Sequence, residues 1–112
     1  MIIQLKDIAL TRSGDKGRNS NIGVIFKNTA IYNWAKINLT TTIVKNHLEY
    51  IVKGNVERYE LDNLNALNFI LHDSLGGGGS DSLLNDAQGK THGQKLLLLQ
   101  IEIPENLKEY IK

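Results

Sequence analysis

Hydrophobic and polar positions change period several times along the chain. Ile2 to Leu10 is short, apolar-rich and β-branched at its start, which predicts a strand. Arg12 to Asn19, RSGDKGRN, is dense in turn-forming residues and predicts a loop. Ile22 to Phe26 predicts a second strand, closed by Lys27-Asn28. Thr29 is placed to N-cap a helix carrying Ile31, Trp34, Ala35 and Ile37, with Asn38 and Leu39 ending it. After Thr40-Thr41-Thr42, the residues Ile43, Val44, His47, Leu48 and Ile51 recur at helical spacing. Gly54 stands where a helix-terminating residue belongs.

Val56 to Leu61 alternates: Val56, Arg58 and Glu60 point one way, Glu57, Tyr59 and Leu61 the other, as in a third strand. Asp62 or Asn63 caps a predicted helix from Leu64 to Leu75, whose Leu64, Leu67, Leu71 and Leu75 form an apolar stripe. Lys95 to Ile103, KLLLLQIEI, predicts a strand stopped by Pro104, and ENLKEYIK a short terminal helix. The run Leu96–Leu99 is apolar on both sides, which suits a central strand or one covered by another subunit. The order of elements predicts one α+β domain over residues 1–112. The nearest common architecture is a ferredoxin-like sandwich, a roughly four-stranded, mainly antiparallel sheet with helices on one face.

Composition narrows the partners. Thirteen Lys and Arg against twelve Asp and Glu leave a net charge of +1, without the clustered basic face of a nucleic-acid binder. Cysteine is absent, which removes disulfides and thiolate metal sites. The start MIIQLKDIAL has no basic n-region with a long apolar core, and no apolar run nears the ~18 residues of a membrane span. The expectation is a cytoplasmic protein that binds neither membrane nor nucleic acid.

The segment LGGGGSDSLLNDAQGKT, Leu75–Thr91, poses the main chemical question. A dinucleotide fingerprint requires G-x-G-x-x-G between strand and helix; here the third glycine is replaced by Asp81. Gly89-Lys90-Thr91 resembles the end of a phosphate-binding P-loop, but Leu84 stands where that motif needs glycine. Both matches fail. Gly76 suits a helix C′ position, and the remaining glycines imply tight turns or close backbone approach. In Arg12–Gly17, glycine-rich turns with Arg12 and Lys16 suit either an anion-binding concavity or a surface loop capped by Asp15. Asn65, Asn68 and His72 form a polar line beside the leucine stripe, with Asn68 needing a loop backbone or a ligand as partner. His47, His72 and His92 lack metal-ligand spacing, and no His–Asp pair is assignable to Ser13, Ser80 or Ser82.

Two stretches, Ile8–Val24 and Val56–Gly93, resemble the small domain at the C-terminus of the acyclic terpene utilisation protein AtuA and its relatives. The resemblance rests on Arg12-Ser-Gly-Asp-Lys-Gly17, Asn21-Ile-Gly-Val24, Asn63 with Ala66-Leu-Asn-Phe69, the glycine run, Ser82-Leu83, and Asp86 with Gly89-Lys90. It implies a ferredoxin-like fold and a link to terpenoid or branched acyl compounds, often as acyl-CoA derivatives. Asp62 replaces the family's usual proline, and Leu84-Asn85 an arginine-containing pair, which weakens anion binding near the glycine run. The implied role is an accessory subunit beside a separate AtuA-like large subunit, with a homo-oligomer and an anionic acyl ligand as further expected partners. The alternative is an independent small enzyme or anionic-ligand binder using Arg12–Gly17, with Asp15 and Lys16 as acid and base. Whether the chain is an enzyme stays open. Candidate ligand-binding residues are Arg12, Ser13, Asp15, Lys16, Asn21, Asn68, Gly77, Gly78, Ser82 and Lys90. No catalytic residue, metal ligand or cofactor is assigned.

Overall fold

A computed structural model describes residues 1–49, 51–74 and 92–111. Its described strands are β1 (Ile2–Gln4), β2 (Ala9–Lys16), β3 (Asn19–Phe26), β4 (Val56–Leu61), β5 (Ala66–Leu71) and β6 (Gln100–Glu102). Between β3 and β4 lie helices α1 (Thr29–Asn38) and α2 (Thr41–His47), and residues 92–97 are helical. The four-stranded sheet is antiparallel throughout, in the order β2-β3-β5-β4, and β1 pairs with β6 in a separate two-stranded ribbon. The α+β, ferredoxin-like expectation holds, although some of its strands are different ones.

The stretch Arg12–Asn19 is not a loop: it supplies most of β2 and the start of β3. Lys16 pairs with Asn19, leaving only Gly17 and Arg18 as the turn. Gly17 has φ +63°, as the first central residue of a type II′ hairpin requires, and this turn matches the twist of the strands it joins. Turn-forming residue types therefore mark the hairpin but overstate its length.

Within its described residues, the predicted helix Leu64–Leu75 is instead the strand β5, preceded by a 3-10 turn Asp62–Leu64, with Asn65 in the left-handed region at φ 51°; Leu75 lies outside the described residues. A leucine every three or four residues mimics a helical stripe, but Leu67, Phe69 and Leu71 also lie at period two. Those three are fully buried, while Asn68 and Ile70 on the other face are half-buried. Pairing with β3 on one side and β4 on the other settles the ambiguity, because a central strand is apolar on both faces. The polar line Asn65–Asn68–His72 consequently does not exist as a helix face.

Four further corrections concern the ends of elements. Leu96 and Leu97 are helical and only Gln100–Glu102 is strand, so the run Leu96–Leu99 is not a central strand. Residues 2–10 break into β1, a 3-10 turn at Leu5–Asp7 and the start of β2. Asn28, not Thr29, caps α1, its Oδ1 accepting from the Ile31 N–H at 2.9 Å. Gly54 ends no helix directly. It lies beyond α2, where its backbone approaches His72.

One face of the four-stranded sheet carries the core. Ile22, Val24, Leu67, Phe69 and Leu71 are fully buried with Ile31, Tyr32 and Ala35 of α1 and Val44 of α2. Arg58, on this face of β4, donates from Nη1 to the carbonyls of Lys36 (2.8 Å) and Leu39 (2.9 Å) at the end of α1. A cation there satisfies orphan carbonyls and opposes the negative end of the helix dipole. Tyr32 donates to Asp62 Oδ1 at 2.6 Å; burial, and then this bond, push its hydroxyl pKa up to about 12. The bond also holds the Asp62 carboxyl below the usual carboxylate range, with help from Lys36. Among the described residues, no helix is long and apolar enough to cross a membrane.

Candidate functional site

Strand alternation sorts the proposed ligand residues onto two faces. Thr11 and Ser13 of β2 register with Val24 and Ile22 and therefore lie on the core side. Arg12 and Gly14 register with Gly23 and Asn21 on the opposite, outer side. Asp15 and Lys16 pair with Ser20 and Asn19 at the hairpin end. Asn21 and Asn68 do come together: Asn21 Nδ2 donates to Asn68 Oδ1 at 3.3 Å across the outer face. Gly77, Gly78, Ser82 and Lys90 lie outside the described residues, as does the C′ position assigned to Gly76.

The sharpest polar cluster lies on the core side, and its residues were not among the sequence candidates. Ser20, Ser74 and His92 are buried at 1%, 4% and 3% exposure. Ser20 Oγ is 2.7 Å from Ser74 Oγ and 3.2 Å from His92 Nδ1. Ser74 Oγ also donates to the Leu71 carbonyl at 3.0 Å. That carbonyl can only accept, so the proton order runs from His92 Nδ1–H to Ser20, from Ser20 to Ser74, and from Ser74 to Leu71. The tautomer follows from this network, since hydrogens are assigned by their partners. Burial, and then the charge of Lys95, hold the His92 pKa below its ordinary value, which keeps the ring neutral.

In this order His92 donates to Ser20 and cannot accept its proton through Nδ1. Nucleophilic catalysis needs the reverse, a ring nitrogen accepting from the serine. The trio is a hydrogen-bonded polar network inside the fold, and among the described residues no fully buried side-chain nitrogen or oxygen lacks a partner. Ser20 was legible in principle: extending the alternation of Ile22, Val24 and Phe26 two residues back puts Ser20 on the core side. Reading Arg12–Asn19 as a loop hid it.

The network brings distant chain segments to the β2–β3 hairpin. Ser74 N–H donates to the Arg18 carbonyl at 2.9 Å, and Asp73 N–H to Asn19 Oδ1 at 2.8 Å. Arg18 and Asp73 add an exposed ion pair at 3.6 Å, worth little alone. From the other side, Gly93 lies against β2. A Cβ there would stand 2.9 Å from Ser13 Oγ and 3.1 Å from Thr11 Oγ1. Residues 74 and 92, which bracket the glycine-rich stretch, are thus both fastened to Ser20. The other two histidines serve elsewhere: His47 Nε2 lies 2.8 Å from the Lys95 carbonyl and His72 Nε2 2.7 Å from Glu57 Oε2.

Comparison with known proteins agrees with this architecture. No curated protein and no solved structure matches the chain. The AtuA ferredoxin-like domain matches it over residues 3–102, which takes in every strand of the four-stranded sheet, the hairpin and the Ser20 network. The chain belongs to the AtuA ferredoxin-like domain family.

Proposed function

We propose that the chain is an accessory domain working beside a larger AtuA-like protein in terpenoid or branched acyl metabolism. It would contribute loops from its hairpin end to a site for an acyl compound, with acyl-CoA as the candidate ligand. One observation supports this reading most: Ser20 joins Ser74 and His92, so both flanks of the glycine-rich stretch start from the hairpin that carries Arg12 and Ser13. Fixed flanks suit a loop that meets a ligand or partner surface, since binding residues sit disproportionately on loops positioned by a rigid scaffold. The inward proton order of the trio favours a supporting role over chemistry by Ser20.

Co-purification from the native host at low salt tests the partner. A large AtuA-like protein recovered with the chain is expected, and a chain that elutes alone and turns over an acyl-CoA would sink the accessory reading. For the ligand, acyl-CoA titration is compared in the complex carrying Arg12→Ala or Ser82→Ala. Weaker binding is expected for both, and unchanged binding in both would remove this end of the molecule from the site.

A further inference from the structure

The outer face of the sheet resolves into rows. Leu10, Ile25, Ala66 and Leu61 register with one another across β2, β3, β5 and β4, an apolar row spanning the whole sheet. The next row is Arg12, Gly23, Asn68 and Tyr59, and the third is Gly14, Asn21, Ile70 and Glu57. Leu10 is 67% exposed, Tyr59 51% and Leu61 42%, while Ala66 is 3% exposed, so the apolar row is open at its two leucine ends and closed at Ala66. Such a row on a sheet whose other face already holds the core is unusual for an isolated chain.

We infer that this face packs against the same face of a second copy, related by a two-fold axis lying in the interface and parallel to the strands. That operation keeps each row over the same row of the other copy and carries β2 over β4. Leu10 then meets Leu61 of the second copy at both edges of the interface, and Ile25 lies above the buried Ala66 position between them. Arg12 comes over the Tyr59 ring of the second copy with Glu57 diagonally beside it, joining a cation to an aromatic face and a carboxylate. The alternative two-fold axis, running across the strands, would set the apolar row on the row of Gly14, Asn21 and Glu57. It would bury a carboxylate against leucine without a cation, which is costly. The faces are self-complementary in one orientation only. Aligned sheet packing has this geometry, with strands near −30° to each other.

Size sets the strength. Four strands ~4.8 Å apart and three rows about 6.8 Å apart give a projected patch on the order of 400 Å² per copy. Standard interfaces bury ~800 Å² per partner, so the dimer is weak and concentration-dependent. It shares Arg12 with the acyl-site reading but rests on Leu10, Ile25 and Leu61, which that reading does not use, so Leu10→Asp tests it separately.

Sedimentation velocity over a thousandfold concentration range is expected to show a monomer–dimer equilibrium. Leu10→Asp should weaken it at least tenfold, and Arg12→Glu should weaken it most at low salt while leaving the thermal midpoint unchanged. Because the chain has no cysteine, mixed single variants report the orientation. Leu10→Cys mixed with Leu61→Cys should oxidise to a crossed dimer, whereas Leu10→Cys alone should not couple to itself. A monomer at every concentration overturns the inference, as does a dimer that both charge variants leave intact. Self-coupling of Leu10→Cys also overturns it. So does a monomer whose Leu10→Cys thiol resists a soluble reagent, which would mean that the chain's own residues cover the face. If a larger AtuA-like partner instead protects that thiol while self-association is absent, the second copy is the wrong occupant.

Discussion

The buried His92 ring donates from Nδ1 to Ser20 Oγ as a neutral group. Burial lowers its pKa in the folded chain, while in the unfolded chain it titrates at about 6.5. Between those two values the unfolded state binds more protons, so stability rises with pH across that window. The stabilisation is complete above the unfolded value and is lost as pH falls through the depressed folded one. Urea midpoints taken from pH 7.5 down to 5 should therefore fall for the native chain. His92→Asn, which keeps a donor close to the Nδ1 position and does not titrate, should give a shallower slope. Equal slopes for both would mean that His92 is not the group responsible.

Single elements are held by side chains reaching between them, as Arg58 shows. Its fork joins β4 to the last carbonyls of α1, and Nη2 also donates to Glu60 at 3.0 Å. Arg58→Ala leaves two carbonyls without this donor and should cost about 2–3 kcal/mol in chemical denaturation. Arg58→Lys should recover less than half, since one ammonium cannot reproduce the fork. That tie was half legible: alternation in Val56–Leu61 puts Arg58 and Val56 on one face, but not opposite a helix terminus. β4 was readable because its polar and apolar residues alternate, with one face open to water. β5 was not, because Ala66–Leu71 is apolar on both faces and short, so only its neighbours decide between strand and helix. The site followed the same rule. Arg12, Ser13, Asn21 and Asn68 were visible as residue types, but their distribution over two faces depends on a hairpin whose turn is just two residues long. Ser20, Ser74 and His92 are far apart in the chain, and no local pattern joins them.

Across the whole molecule, β1 and β6 pair Ile2 with Glu102, so this ribbon joins positions a hundred residues apart. The Met1 ammonium donates to the Ile103 carbonyl at 3.0 Å, and the Ile103 N–H to the Met1 carbonyl at 2.9 Å. By contrast, β2–β3 and β4–β5 are local pairs that close at small entropic cost. Long-range pairing is slow to reward the chain, which places the ribbon late in folding. Ile103 is buried at 1% exposure, so Ile103→Ala should cost about 2–4 kcal/mol. Stopped-flow measurements should show nearly all of this as faster unfolding, by roughly 30- to 1,000-fold, with the folding rate little changed. A folding rate that drops in proportion would place the ribbon in the nucleus instead.

The fastening of residues 74 and 92 to one serine has a consequence for divergence within the family. An insert whose two ends are pinned side by side is closed whatever its length, and doubling a closed loop costs only ~0.6 kcal/mol. The stretch between these pins can therefore change in length while the sheet keeps its register. Selection can treat the hairpin and Ser20 as a socket and the intervening stretch as an insert of adjustable length. Relatives carrying this domain should then differ in the length of this stretch more than in its glycine run, Ser82-Leu83, Asp86 or Gly89-Lys90, and least at the positions that pin it.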